Sequence, residues 1–156
     1  MKLNELVNNV ENNADKIIVS AIIKDDSETL NKFVINIIGD LLNGVNLDDE
    51  YRKSAINNLN NYDEKELGNL GTYICLIPYV QSALSSQKNW EFKATSFIEK
   101  LISYIIGLIS KDEFLSNLLE IRSILKISDN LYNGLVNYFA SYKEYITKSA
   151  IEKINC

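Results

Sequence analysis

Side chains able to do chemistry are few in this chain, and their settings argue against their use. There is no histidine among the 156 residues. That removes the commonest general base, the commonest metal ligand and every triad that relies on imidazole. The two cysteines are Cys75, inside the apolar run YICLIPY (residues 73–79), and Cys156 at the last position. An apolar setting raises a thiol's pKa instead of activating it, so Cys75 reads as a small core side chain. Carboxylate pairs occur at Asp25/Asp26 and Asp48/Asp49. Each falls where a helix begins, and capping together with the helix dipole explains them there. No glycine-rich phosphate loop follows a strand. The chain therefore reads as a non-enzymatic protein with no catalytic residues, no metal and no cofactor.

Charge and composition narrow the partners. The net charge is −5, with 46% apolar and 24% charged residues, which is ordinary globular usage. An acidic chain lacks the basic face that tracks phosphates, so no nucleic acid is expected as a partner. Two cysteines so placed form no disulfide framework, and a reducing intracellular compartment fits best. The N-terminal stretch MKLNELVNNVENNADK has no apolar signal core. No uninterrupted apolar run reaches the roughly 20 residues that span a bilayer. A membrane enters only if a C-terminal anchor follows this sequence. Two Asn-Gly pairs, Asn43-Gly44 and Asn133-Gly134, are thermolabile and argue against a hyperthermophile.

The elements that must position these residues all carry the helical period, and strand-like alternation of useful length is missing. A first helix over about 2–24 shows the stripe Leu3, Val7, Val10, Ala14, Ile17 and Ala21. Asp25, three before Glu28, has capping-box spacing and opens a second helix. That helix buries Leu30, Phe33, Val34, Ile37, Ile38 and Leu41 and stops at Asn43-Gly44. A third helix starts near Asp48 and carries Tyr51, Ala55, Leu59 and Tyr62. Asp63 with Glu66 opens a fourth, carrying Leu67, Leu70, Tyr73 and Ile74. Pro78, the only proline, is expected to kink or end it, and Gly68 and Gly71 weaken it by about 1 kcal/mol each.

After SSQKN, with Asn89 as N-cap, comes the stretch WEFKATSFIEKLISYIIGLIS (residues 90–110). From Phe97 onward its only charges are Glu99 and Lys100. A helix apolar on nearly every side belongs in the middle of a bundle. Ser110 with Glu113 opens a sixth helix with Phe114, Leu118, Ile121 and Leu125 on one face. Ser128 or Asp129 opens a seventh with Leu131, Leu135, Tyr138, Tyr142 and Tyr145. Those tyrosines make either a binding face or a packed stripe with hydroxyls at the rim. The expected fold is all-α: one domain over residues 1–156, a compact bundle of about seven helices around a central hydrophobic fifth helix.

Two local patterns, in order, resemble the Bcl-2 family of apoptosis regulators. INIIGDLL (residues 35–42) is similar to the core of the family's death motif, matching at Ile35, Ile38, Gly39, Asp40 and Leu42, with Asn31 departing from an upstream apolar position. NWEF (residues 89–92) resembles the family's Asn-Trp-Gly-Arg, matching at Asn89 and Trp90 and departing at Glu91 and Phe92. Asn89 and Trp90 equally read as a cap and a core aromatic. KATSFIEKLI (residues 93–102) is similar to the central helix of poxvirus members. The motifs cover about 20 residues, the architecture nearly the whole chain. The resemblance implies a Bcl-2-like fold with a groove, formed by the second to fifth helices, that takes an amphipathic helix of a pro-apoptotic protein. Candidates to line it are Phe33, Ile37, Tyr51, Ile56, Leu70, Tyr73, Trp90, Lys93 and Phe97, with Lys93 standing in for the family's ligand-pairing arginine.

The first functional reading is then a virus-encoded Bcl-2-like inhibitor of apoptosis, in the host cytoplasm or on the mitochondrial surface, with a homodimer as a further option. The second keeps the fold, closes the groove, and has the outer surface modulate innate immune signalling. The third is a small helical subunit of a ribonucleoprotein of the CRISPR type, which the acidity disfavours. An enzyme or metal protein is disfavoured by the missing histidines.

Overall fold

The computed structural model describes residues 13–24, 26–44 and 48–155, without the side chains of 13–15, 23, 26, 27 and 90–94. The described residues form eight helices and no strand: α1 Asn13–Ile23, α2 Asp26–Gly44, α3 Asp49–Asn61, α4 Glu64–Leu84, α5 Trp90–Ile106, α6 Lys111–Leu125, α7 Asp129–Ala140 and α8 Lys143–Asn155. The all-α class is as expected. The expected Leu3, Val7 and Val10 stripe, the Asp25 cap and Cys156 lie outside the described residues.

Local chemistry sets most of the boundaries. Asp48 accepts from the Tyr51 amide at 2.9 Å and starts α3. Asp63 and Glu66 close a capping box at α4, with Asp63 accepting from Glu66 N at 2.7 Å. Ser110 and Ser128 accept from Glu113 N and Leu131 N, each at 3.2 Å. Each side chain satisfies an amide that has no partner within its own helix. α5 starts differently: Asn89 stands at the N-cap position in the left-handed region, φ 63°, and its side chain makes no capping bond. α5 ends at Gly107, φ 88°, where Leu108 N reaches Ser103 O at 2.7 Å and Gly107 N reaches Tyr104 O at 3.1 Å. That pairing is the Schellman stop, and glycine enters it without strain.

Beyond the Asn89 cap, four expectations change. The expected seventh helix is two, α7 and α8, because Ser141 ends α7: its amide bonds Asn137 O at 3.1 Å and its hydroxyl donates to Tyr138 O at 2.6 Å. The apolar face then turns, so α8 buries Ile146, Thr147, Ala150 and Ile154, while Tyr142 and Tyr145 face solvent. α4 runs through Pro78, whose ring lies on the exposed side while Ile74, Ile77, Val80 and Leu84 hold the buried side. Among the described side chains of α1 the buried ones are Ile18, Val19 and Ile22, and Ile17 is 72% exposed. Apolar residues crowd that segment, so more than one face could have docked.

The fourth change concerns the centre. α5 is not the central helix; α4 is. Every residue from Leu67 to Ile77 is buried, and α2, α5, α6, α7 and α8 all pack on α4. α5 buries Phe97, Leu101, Tyr104, Ile105 and Ile106, but leaves Glu99 exposed and Ile98, Lys100 and Ile102 half-buried. The glycines that lower the helix propensity of α4 are what seat it. A Cβ at Gly68 would lie 2.3 Å from the Val136 carbonyl oxygen, and one at Gly71 would lie 2.6 Å from Cγ of Phe139. The two helices therefore approach at a distance that no larger residue permits. Gly39 plays the same part between α2 and α8, where a Cβ would meet Cβ of Lys153 at 2.9 Å.

Gly68→Ala should destabilise the fold by about 1–3 kcal/mol, because backbone must shift and overpacking outweighs the propensity gain of about 1 kcal/mol. Gly44→Ala, with no atom within 4 Å of the added methyl, should not destabilise it. Urea unfolding of both variants beside the wild type measures the contrast.

Candidate functional site

Of the seven groove candidates whose side chains are described, Phe33 and Ile37 meet in an open cavity. They form, with Leu41 one turn on, the α2 wall of a cleft of about 240 Å³. α4 supplies Ile74, Ile77, Pro78 and Gln81, and α5 supplies Ile98. Phe33, Ile37 and Leu41 repeat every four residues and so share one helix face. Pro78 has no N–H to give to the Ile74 carbonyl, its partner one turn back, so one α4 carbonyl beside the cleft lacks its helical donor. Among the described residues the lining is otherwise apolar apart from the Gln81 amide. The arrangement can hold an apolar side chain, and those residues supply no nucleophile, acid or base.

Five of the remaining candidates are placed elsewhere. Leu70 and Tyr73 on α4 are fully buried, and Phe97 on α5 is 4% exposed. These three fill the place that the resemblance gave to an open groove floor. Tyr51 is exposed near the start of α3, and Ile56 is half-buried on α3 against the core. Neither lines the cleft. The side chains of Trp90 and Lys93 lie outside the described residues, and with them the ion pair expected of Lys93.

Tyr73, next along α4 to the cleft residue Ile74, ties that helix to its neighbours. Its hydroxyl has two acceptors within reach of its one hydrogen, the Phe97 carbonyl and, at 2.8 Å, Asn117 Oδ1, itself buried on α6. One hydroxyl thus links α4, α5 and α6. Its ring lies 5.1 Å from that of Phe114, which stacks on Tyr104 at 4.1 Å, which stacks on Tyr62 at 5.2 Å. Burial raises the Tyr73 and Tyr62 hydroxyls well above the ordinary tyrosine range, with Glu120 adding to the first and Tyr104 to the second. Tyr104 is pushed up to about 12, chiefly by burial and then by the Glu66 carboxylate. Burial likewise raises the Cys75 thiol, which donates to Thr72 O at 3.4 Å.

Two larger and more open depressions follow α8. One, of about 630 Å³, is bordered by Tyr62, Asp63, Glu64, Tyr142, Glu144 and Tyr145; the other, of about 410 Å³, by Asn60, Thr147, Lys148, Ile151 and Glu152 among others. Asp63 is already committed to the α4 cap. Among the described residues, no three His, Cys, Asp or Glu side chains gather in a way that could hold a metal ion, and no helix is long and apolar enough to cross a membrane.

Sequence reasoning found the α2 wall and missed Leu41, Ile74, Ile77, Pro78, Gln81 and Ile98 as its neighbours. One signal was available: a proline inside an otherwise continuous apolar helical pattern leaves its own face unsuited to close packing. Comparison with protein-family models, curated proteins and solved structures finds no match to this chain.

The buried tyrosines predict alkaline sensitivity. In the unfolded chain they titrate near pH 10, whereas in the fold they keep their protons to higher pH. The stability they contribute is therefore complete below about pH 10 and falls as pH rises towards and past 12, by about 1.4 kcal/mol per pH unit for each tyrosine still protonated. Tyr73→Phe should cost about 1–3 kcal/mol at neutral pH, by stranding the buried Asn117, and should make the alkaline decline shallower. Urea-unfolding free energies from pH 7 to 12 test both effects.

Proposed function

We propose that the chain is a non-enzymatic binding module whose α2–α4–α5 cleft receives an apolar anchor of an amphipathic helix. The occupant implied by the sequence resemblance is the death-motif helix of a pro-apoptotic protein, sequestered as a virus-encoded Bcl-2-like inhibitor of apoptosis would do it. The observation that carries this reading is the apolar cleft built on Phe33, Ile37 and Leu41 at helical spacing, beside a proline-modified face of α4. Apolar anchors laid into an apolar groove are the physics of helix recognition. A cleft of about 240 Å³ is below the usual range for a small-molecule site, and suits one large side chain rather than a metabolite.

A second reading keeps a binding role and moves it to the outer surface: a modulator of innate immune signalling with a closed groove. The burial of Leu70, Tyr73 and Phe97 favours it. In that case death-motif helices find too few pockets, and the partner docks elsewhere.

Isothermal calorimetry with a panel of death-motif peptides separates the two. Under the first reading a peptide binds the wild type, and Ile37→Glu weakens it by tenfold or more, since burying a carboxylate among Phe33, Ile74 and Ile98 is costly. Ile37 is half-buried, so thermal melts accompany each titration. Tyr51→Glu, outside the cleft, should leave the affinity unchanged. A folded wild type that binds none of the peptides at high micromolar concentration overturns the first reading and leaves the second.

A further inference from the structure

Two Asn-Gly pairs share the same intrinsic chemistry, but the fold treats them differently. Asn43-Gly44 forms the last two residues of α2, both exposed, with no atom within 4 Å of the Cβ position at Gly44. Asn133-Gly134 sits inside α7, with Gly134 buried against the bundle. The Asn43 side chain also has a structural task. Its Nδ2 donates to the Lys153 carbonyl at 3.0 Å, and its Oδ1 accepts from Arg52 Nη1 at 3.4 Å. The same Arg52 nitrogen donates to the Ile154 carbonyl at 3.0 Å. Together Asn43 and Arg52 satisfy carbonyls at the C-terminal end of α8 that have no partner within that helix.

The geometry points to Asn43 as a deamidation site in the folded protein, whose conversion releases the C-terminal end of α8, with Asn133 protected. In the reaction the Gly44 backbone nitrogen loses its proton and attacks Asn43 Cγ. A C–N bond forms, the bond to the side-chain nitrogen breaks, and ammonia leaves. Water then opens the cyclic imide at either carbonyl, giving aspartate or isoaspartate at 43. Water is the sole co-reactant. Ring closure requires the asparagine backbone to leave helical geometry. The end of a helix opens locally at little cost, whereas the middle of α7 opens only with the core. While Nδ2 is held by the Lys153 carbonyl, Asn43 is out of position to react, so the step follows transient opening of this clasp.

The product cannot restore the clasp. A carboxylate has no hydrogen to donate to the Lys153 carbonyl and repels it. Arg52 Nη1, which donates to position 43 and to the Ile154 carbonyl at once, is then left to hold the α8 end without the asparagine amide. Each opening of the α8 end thus carries a chance of becoming permanent. The inference does not depend on what the α2–α4–α5 cleft binds.

The test is incubation of the folded chain in mildly alkaline buffer, with peptide mapping by mass spectrometry at both asparagines and hydrogen exchange over α8. Asn43 should convert well ahead of Asn133 in the folded chain, and the two should convert alike in denaturant. Gly44→Ala, which fits the open space there, should block conversion at 43 and keep α8 exchange at its starting value. The fractionated product and Asn43→Asp should both exchange the last-turn amides of α8 faster, by about tenfold, the size of a lost hydrogen bond to a neutral group. Asn43→Gln, which retains a donor amide, should stay nearer the wild type. Equal conversion of Asn43 and Asn133 in the folded chain overturns the inference. So does a deamidated product whose α8 exchanges as slowly as the starting protein.

Discussion

α4 can sit at the centre of this bundle because two of its residues have no side chain. At Gly68 and Gly71 the α7 segment of Val136 and Phe139 occupies the space that a Cβ would take. Close approach raises the number of dispersion contacts per residue, and each is small but all act together. Once α4 and α7 are seated this way, the buried run Leu67–Ile77 has no solvent-facing side left. α2, α5, α6 and α8 then complete the enclosure. The glycines reduce the intrinsic stability of the isolated helix, and burial recovers it: each fully buried Leu, Ile or Phe contributes about 1.5–3 kcal/mol. α4 is therefore a helix defined by its tertiary setting.

The polar groups of the fold serve the ends of that arrangement. α3 buries only Ala55 and Leu59 and is held largely through hydrogen bonds to other helices. Ser54 donates to Ile106 O at 2.9 Å and Asn58 to Ile105 O at 2.9 Å, which closes the carbonyl end of α5. Arg52 does the same for α8 at Ile154. One polar helix thus caps two apolar ones, and leaving those carbonyls buried and unpaired would cost more than the bonds themselves contribute. At the opposite end of α6, Arg122 donates to Ile127 O at 3.1 Å, pairs with Asp129 and lies 5.1 Å from the Tyr132 ring. The α6–α7 turn is held by that one side chain while Lys126 sits in the left-handed conformation.

Local signals were legible from the residues alone because their cause is local. A carboxylate or hydroxyl three residues before a free amide marks a helix start whatever surrounds it: Asp48, Asp63 and Ser110 cap where helix starts were read, and of the pair Ser128 or Asp129 the cap is Ser128. The centre was not legible. The apolar wheel of residues 97–106 and the glycine-bearing, proline-interrupted pattern of 64–84 differ in propensity, and propensity favours the former. Which helix is enclosed depends on shape, on whether neighbours can approach, and that is a pairwise property of Gly68 with Val136 that no single segment reveals. The same limit applied to the site. Phe33 and Ile37 were recognised as one face of α2, but whether Leu70, Tyr73 and Phe97 faced a groove or the core turned on a neighbour, the Asn117–Phe114 side of α6, that lies far along the chain.

That neighbour also bounds how a helix could be accommodated. Opening a full groove between α2 and α5 would require Phe97 to leave the core and the Tyr73 hydroxyl to give up its partners at Phe97 O and Asn117. Displacing one large buried aromatic costs about 3–5 kcal/mol by analogy with truncation, and stranding a buried polar group adds about 1–3. An opening penalty of that total, about 4–8 kcal/mol, would reduce the apparent affinity of any groove ligand by roughly three to six orders of magnitude. The cleft at Phe33, Ile37 and Ile98 exists without that penalty. An anchor inserted there gains its transfer free energy directly, about 1.5–3 kcal/mol for one large apolar side chain, and the rest of the ligand helix must find its contacts along the exposed flank of α2. Among the described residues, one anchor at this cleft with surface contacts is what the conformation offers without rearrangement, and a tighter complex would need a ligand able to meet the cost of moving Phe97.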